Sequence, residues 1–431
     1  MSAPRRLSLG LGLYPIDDWR AEGAGPHDGL DLATYVEVAK IAEAAKFDAL
    51  FRADSPNFDR NRAVDARAAS PEPLIQLAAV ASATSRIGLV ATLSSTFNLP
   101  YNLARQLSTL DHLSGGRAGW NLVTSAFGEQ NFGIELPPQE LRYERAAEFV
   151  DVLDALFGSW DADAVVFDQA AGRYADPERI HDVEHAGRYF TVHDALGLPR
   201  SPQGRPVQFQ AGASESGRAF AARYAEAIYS ASPDLEHAVG FARDVRARIA
   251  AAGRDPGLVK ILPGAMITLG ATHEEAVRNH RAAFTEEAVE RGRRTLSSQF
   301  GGIDLAGLDL DSPIPHDRLP DPSTLLRRQS RPALFRDLAL RPGTTLRDVI
   351  EHHLKGNGHW VLIGTPEEVA AELVEWHTAG AADGFNVHPR GRESLQLFID
   401  GVLPILRGKG LFREEYEGTT LRSHLGLPVP D

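Results

Sequence analysis

Residues 85–125 read SRIGLVATLSSTFNLPYNLARQLSTLDHLSGGRAGWNLVTS, and they decide how the rest of the chain is interpreted. The run 87–91 is short, apolar and followed by Thr and Ser, as a buried strand with a polar end should be. Residues 101–113 carry apolar side chains at helical spacing, and Ser114-Gly-Gly-Arg117 is strong turn chemistry. A second apolar strand then runs into its own polar end. This is a βαβ unit, which implies a parallel sheet with a right-handed crossover. In such sheets ligands meet the groups just beyond the carboxyl ends of the strands. Here those groups are Thr92, Ser94 and Ser95 after one strand and Asn121, Thr124 and Ser125 after the next. Asn121 is the most informative, because an amide inside an apolar strand must find a partner when buried.

The same alternation continues in both directions. Strands are expected at 7–14, 47–51, 87–91, 119–123, 207–210, 225–230, 258–270 and 384–388, with helices between them. Eight strands alternating with helices, without an internal repeat, predict an α/β fold, a (β/α)8 TIM barrel, in one domain over 1–431. The length beyond a typical barrel of about 250 residues is assigned to two insertions. One is a hairpin-like excursion at 160–200; the other is irregular and Pro-rich at 295–357 and is expected to be a mobile lid.

Composition narrows the function. With 431 residues and 43% hydrophobic composition the chain can bury a large core. No window approaches the ~18 apolar residues of a membrane span, and LSLGLGLY near the start reads as the first strand, not as a signal segment. The chain contains no cysteine, which removes disulfides and thiolate chemistry and makes the cytoplasm the expected compartment. A net charge of -13 argues against nucleic acid.

Several stretches carry candidate chemistry. AGASESGR at 211–218 places Ser214 and Ser216 between a strand and a helix, where backbone N–H groups and the helix dipole suit a phosphate; taken alone, the motif is slightly better read as an ordinary N-capped loop. Asp54, at a strand end, can accept from a ring N–H or cap its own loop. Tyr143 can reach a phosphate or sit in the core. His352, His353 and His359, and His181, His185 and His193, lack HExxH spacing, so they are read as solvated surface residues and no metal is expected. Neither a P-loop nor GxGxxG nor GxSxG occurs at these places.

The strings FDALFRAD at 47–54, the central stretch, RYERAAEFVDVLDALF at 142–157, HAGRYFTV at 185–192, PQGRPVQFQAGASESGRAFAARYAE at 202–226, IGTPEEVAAEL at 363–373, DGFNVHP at 383–389 and LFREEYEGTTLRSHLGL at 411–427 together resemble the bacterial-luciferase-like flavin monooxygenases. Within them they are most similar to the nitrilotriacetate monooxygenase, dibenzothiophene-sulfone monooxygenase and pristinamycin synthase group. The resemblance implies a luciferase-like barrel, a homodimer or homotetramer, that takes reduced FMN (FMNH2) from a separate NAD(P)H:flavin reductase and uses O2 to oxygenate a small organic or heterocyclic substrate or cleave its C–S or C–N bond. It also implies FMN contacts at Asp54, Thr92, Ser94, Asn121, Ser125, Tyr143, Ser214 and Ser216, with Asn121 and Thr92 holding oxygen beside the flavin. One departure stands out: the family's His four residues before that Tyr is Gln139 here. The alternatives are a deazaflavin-dependent oxidoreductase, a flavin-degrading member and a non-catalytic flavin-binding protein.

Overall fold

The structure is a computed structural model describing residues 6–16, 24–58, 70–282, 284–325 and 330–430. The sequence also leads us to expect substrate-lining loops at 14–19 and 55–70, and these lie partly outside the described residues.

Eight parallel strands close on themselves. They are β1 (Ser8–Gly12), β2 (Ala49–Arg52), β3 (Gly88–Ser94), β4 (Ala118–Val123), β5 (Val207–Gln210), β6 (Ala227–Ser230), β7 (Lys260–Leu269) and β8 (Gly384–Pro389). Each pairs with the next, and β8 pairs with β1. The expected (β/α)8 barrel is the observed fold.

Alternation along each strand sorts its side chains. Leu9, Leu11, Leu89, Ala91, Trp120, Leu122, Phe385 and Val387 face outward into the main core beneath the helices. Ala49, Phe51, Val90, Phe209, Tyr229 and Leu262 face inward, where they meet Leu421, Leu425 and Leu427 from the end of the chain. A Cβ on Gly119 would lie 2.8 Å from Leu421, so the terminal leucines fill the amino end of the barrel against bare strand backbone. The carboxyl ends remain for a ligand.

Local chemistry explains the elements around the central stretch. Helix Pro73–Ala81 starts on the Glu72 cap with Pro at its first turn, where no N–H is missed. Helix Pro100–Ser114 also has Pro in its first turn, after Leu99 and without a side-chain cap, and stops at Gly115, whose φ of 70° suits glycine.

One expectation for the late insertion is corrected. It is not irregular: helices Glu286–Gln299, Ser330–Ala339 and Leu346–Gly356 build a second apolar core around Leu296, Phe300, Phe335 and Ile350. A further strand, Trp360–Gly364, then pairs with the second half of β7, which is long enough to serve β6 with its first half. The earlier excursion is the expected hairpin type, with Val165–Asp168 on Arg173–Ala175 and His185–Ala186 on Thr191–Val192.

Candidate active site

Thr92 and Asn121 are register partners on β3 and β4, both facing into the barrel and both buried. Asn121 Nδ2 donates to Thr92 Oγ1 at 3.1 Å. That bond orients the amide and leaves Asn121 Oδ1 buried with no protein partner. A buried carbonyl oxygen in this condition is costly unless something else donates to it.

One residue pair further along, Ser125 Oγ donates to Ser94 Oγ at 2.8 Å. Ser94 Oγ also accepts from the backbone N–H groups of Thr96 and Phe97 at 3.2 and 3.3 Å, tying off the turn after β3. Ser125 holds φ at 30°, an uncommon conformation for a residue other than glycine.

A third group forms where helix Gln139–Phe157 meets the loop after β5. Ser214 caps helix Glu215–Tyr224, its Oγ accepting from Gly217 N at 3.2 Å and from Gln139 Nε2 at 2.9 Å. The capping reading of AGASESGR is therefore correct, and it coexists with a helix N-terminus that can face an anion. The Tyr143 hydroxyl sits with the side chains of Ser214 and Thr124, and burial, the largest influence, raises its pKa. A Cβ on Gly212 or Gly217 would come within 2.8 or 2.9 Å of that hydroxyl, so bare glycine lets the loop close over it.

Of the predicted residues, the structure thus joins Thr92 with Asn121, Ser94 with Ser125, and Tyr143 with Ser214. Thr96 Oγ1, donating to Thr124 O at 2.8 Å, links the second and third groups. Asp54 and Ser216 make no side-chain hydrogen bond to any of them. Asp54 lies just past β2, where burial raises its carboxyl pKa against the opposing N–H of Ser55.

The surface reading of the histidines is corrected in part. His181 and His193 are indeed exposed and pair with Asp161 and Glu184. His353 accepts or donates at Thr295 Oγ1, 2.9 Å away, and burial pushes it down to about 4. His359 Nε2 lies 3.0 Å from Arg331 Nη2, and its Nδ1 is buried. Among the described residues no three His, Asp or Glu side chains converge as a metal would require.

Sequence reasoning missed the wall formed by β8. Asn386 and His388 alternate with the outward Phe385 and Val387, so they face inward beside Gly10 and Gly12 of β1. The signal was present: an Asn and a His two apart at the end of an apolar strand, next to SLGLG, whose inward positions are Gly at two turns of the pleat.

Chemically, the arrangement offers an amide and hydroxyl in a dry recess, a helix N-terminus with hydroxyls nearby, and unpartnered buried oxygens on Asn121 and Asn386. These features fit a flat, polar-edged ring carrying a phosphate.

Comparison with known proteins identifies the family. The model of the luciferase-like monooxygenase family matches residues 18–383. The N-acetyl-S-(2-succino)cysteine monooxygenase of Bacillus subtilis (strain 168) is 38% identical, the match covering 100% of this chain and 98% of the relative. Nitrilotriacetate monooxygenase component A of Aminobacter aminovorans is 39% identical with the same coverage of each. Among solved structures, a riboflavin lyase with modified FMN and substrate riboflavin superimposes with a TM-score of 0.86 at 32% identity, over 98% of this chain and 96% of that one.

Proposed function

The chain belongs to the luciferase-like monooxygenase family, and from that premise we propose that it is the oxygenase of a two-component system. Its cosubstrates are FMNH2, from a separate NAD(P)H:flavin reductase, and O2; its substrate is a small organic molecule in which a carbon bonded to sulfur or nitrogen is attacked. The similarity to a protein named component A supports the separate reductase. A cytoplasmic homodimer or homotetramer, with the late insertion as lid, belongs to the same proposal; among the described residues no helix is long and apolar enough to cross a membrane.

The bound flavin supplies the electrons that activate oxygen. The protein binds and orients. Ser214 and Ser216, at the start of their helix, take the phosphate together with Tyr143, and Asp54, Ser94 and Ser125 border the ring. Asn121 and Thr92 hold the oxygen-bearing group by hydrogen bonds away from water, where stabilising charge as it forms matters most. The observation that carries this reading is the buried Asn121–Thr92 pair: the Thr92 hydroxyl proton and the second Nδ2 proton of Asn121 remain to donate to oxygen, while the unpartnered Asn121 Oδ1 can accept from a ring N–H.

The test is a fluorescence titration with oxidised FMN, reduced FMN and deazaflavin, followed by product analysis. Reduced FMN should bind tightest, Ser214→Ala should weaken it about tenfold, the scale of one charge-assisted hydrogen bond, and Asn121→Ala should keep FMN but lose product. Binding of deazaflavin alone, or full product yield from Asn121→Ala, overturns the proposal. The similarity to a riboflavin lyase favours one second reading, a flavin as the substrate itself; riboflavin consumed by the FMNH2-supplied enzyme would select it.

A further inference from the structure

We infer that His388 is a specificity residue that donates a hydrogen bond to an oxygen atom of the substrate, from the wall of the barrel opposite Asn121, with His359 as the positioning residue behind it. The inference rests on the oxygenase reading of the site and deepens it.

In a closed ring of eight strands, β8 lies across from β4, four strands away in either direction. His388 and Asn121 therefore face each other over the carboxyl end of the barrel. The flanking strands carry glycine on both sides of Asn386, Gly10 of β1 and Gly264 of β7, while His388 lies between Gly12 and Met266. A Cβ on Gly12 of β1 would collide with His388 Nδ1, and one on Gly264 of β7 would collide with His359 Nδ1. Two imidazole rings thus occupy space that strand side chains fill in an ordinary barrel core.

The two rings are not equivalent. Arg331 is always a donor, so its bond to His359 Nε2 makes that nitrogen an acceptor and places the proton on Nδ1. Nδ1 is buried against Gly264, with the backbone of Ser230 as its favourable neighbour. His359 is committed to Arg331 at Nε2, and its Nδ1 is enclosed against Gly264 without a hydrogen-bond partner. His388, by contrast, has no hydrogen bond to any described residue; the residue is partly exposed and its ring lies 6.1 Å from that of Tyr14. Burial pushes it down to about 4, so near neutral pH it is a neutral imidazole with one N–H to offer. Asn386, two residues below on the same face, adds a buried Oδ1 without a protein partner. A free donor above an orphaned acceptor, beside Gly10 and Gly12 of β1, matches the polar end of a substrate.

The experiment uses the full-length enzyme supplied with FMNH2 and three probes whose oxygens accept hydrogen bonds: N-acetyl-S-(2-succino)cysteine, nitrilotriacetate and dibenzothiophene sulfone. KM and kcat are measured for the probe turned over by the unmodified enzyme, along with the Kd for FMN. His388→Leu should raise KM about tenfold with kcat and the FMN Kd little changed, and His388→Gln, which keeps an N–H donor, should restore KM. Equal impairment of Leu and Gln, an unchanged KM in His388→Leu, or a loss of FMN binding that tracks KM overturns the inference while leaving the oxygenase reading intact. No turnover of any probe overturns the oxygenase reading, and this inference with it.

Discussion

His424 shows what a single residue contributes once its surroundings are known. Its Nε2 lies 2.7 Å from Arg86 O, its ring lies 4.7 Å from that of Tyr416, and Nδ1 is buried without a partner. Burial, reinforced by Arg413, Arg86 and Arg117, pushes its pKa from 6.5 down to about 4. The unfolded chain therefore binds a proton in a window where the folded one does not. Stability from this site is fully present above pH 6.5 and is lost as pH falls toward 4, by on the order of 3 kcal/mol. In urea unfolding at pH 7 and pH 4.5, His424→Gln should show a flatter pH dependence than the unmodified chain; an unchanged difference between the two pH values would refute this account. Nothing in the local sequence distinguishes His424 from exposed His193, since depth is set by what packs from far along the chain. Gln139 makes the same point. Its departure from the family pattern was legible, but its bond to Ser214 was not, because the two are 75 positions apart.

At the scale of elements, barrel strands and their helices were legible because period and turn chemistry agree in each. The late insertion was not. Its prolines suggested irregular chain, yet Pro332 falls in the first turn of helix Ser330–Ala339, where proline is tolerated. Thr345 and Asp348 then form a capping box for the next helix. Phe335, fully buried at 0% exposure among Leu296, Phe300 and Ile350, is the centre of this second core. Phe335→Ala should cost about 3–5 kcal/mol, and the loss should appear first as faster amide exchange over the helices of 286–356, with the barrel strands protected as before. Uniform loss across the barrel would mean that the insertion is no separate cooperative unit.

The molecule as a whole is closed by its last residues. Arg422, 1% exposed, donates to Glu226 Oε1 at 2.6 Å and to the carbonyls of Gln203, Arg205 and Pro428, while Gln203 in turn bonds Asp111 and Ala118. The pair fixes the terminal leucines inside the barrel. Arg422→Ala, which strands a buried carboxylate, should cost about 3–5 kcal/mol, and the double change Arg422→Met with Glu226→Gln should recover a good part of it; thermal unfolding of both variants decides, and equal losses would show that the charge pair itself is not what matters. The sequence alone determined the (β/α)8 barrel, the order of its strands and the polar ends that became Thr92, Asn121, Ser94 and Ser125, because alternation and turn residues act over a few positions. Tertiary structure alone decided that His388 faces Asn121, that Gly12 and Gly264 make room for two histidines, that Ser214 is shared by a cap, a Gln and a Tyr, and that the chain's end fills the barrel. Each depends on closing the ring, which brings together residues hundreds of positions apart whose pairing no local pattern encodes.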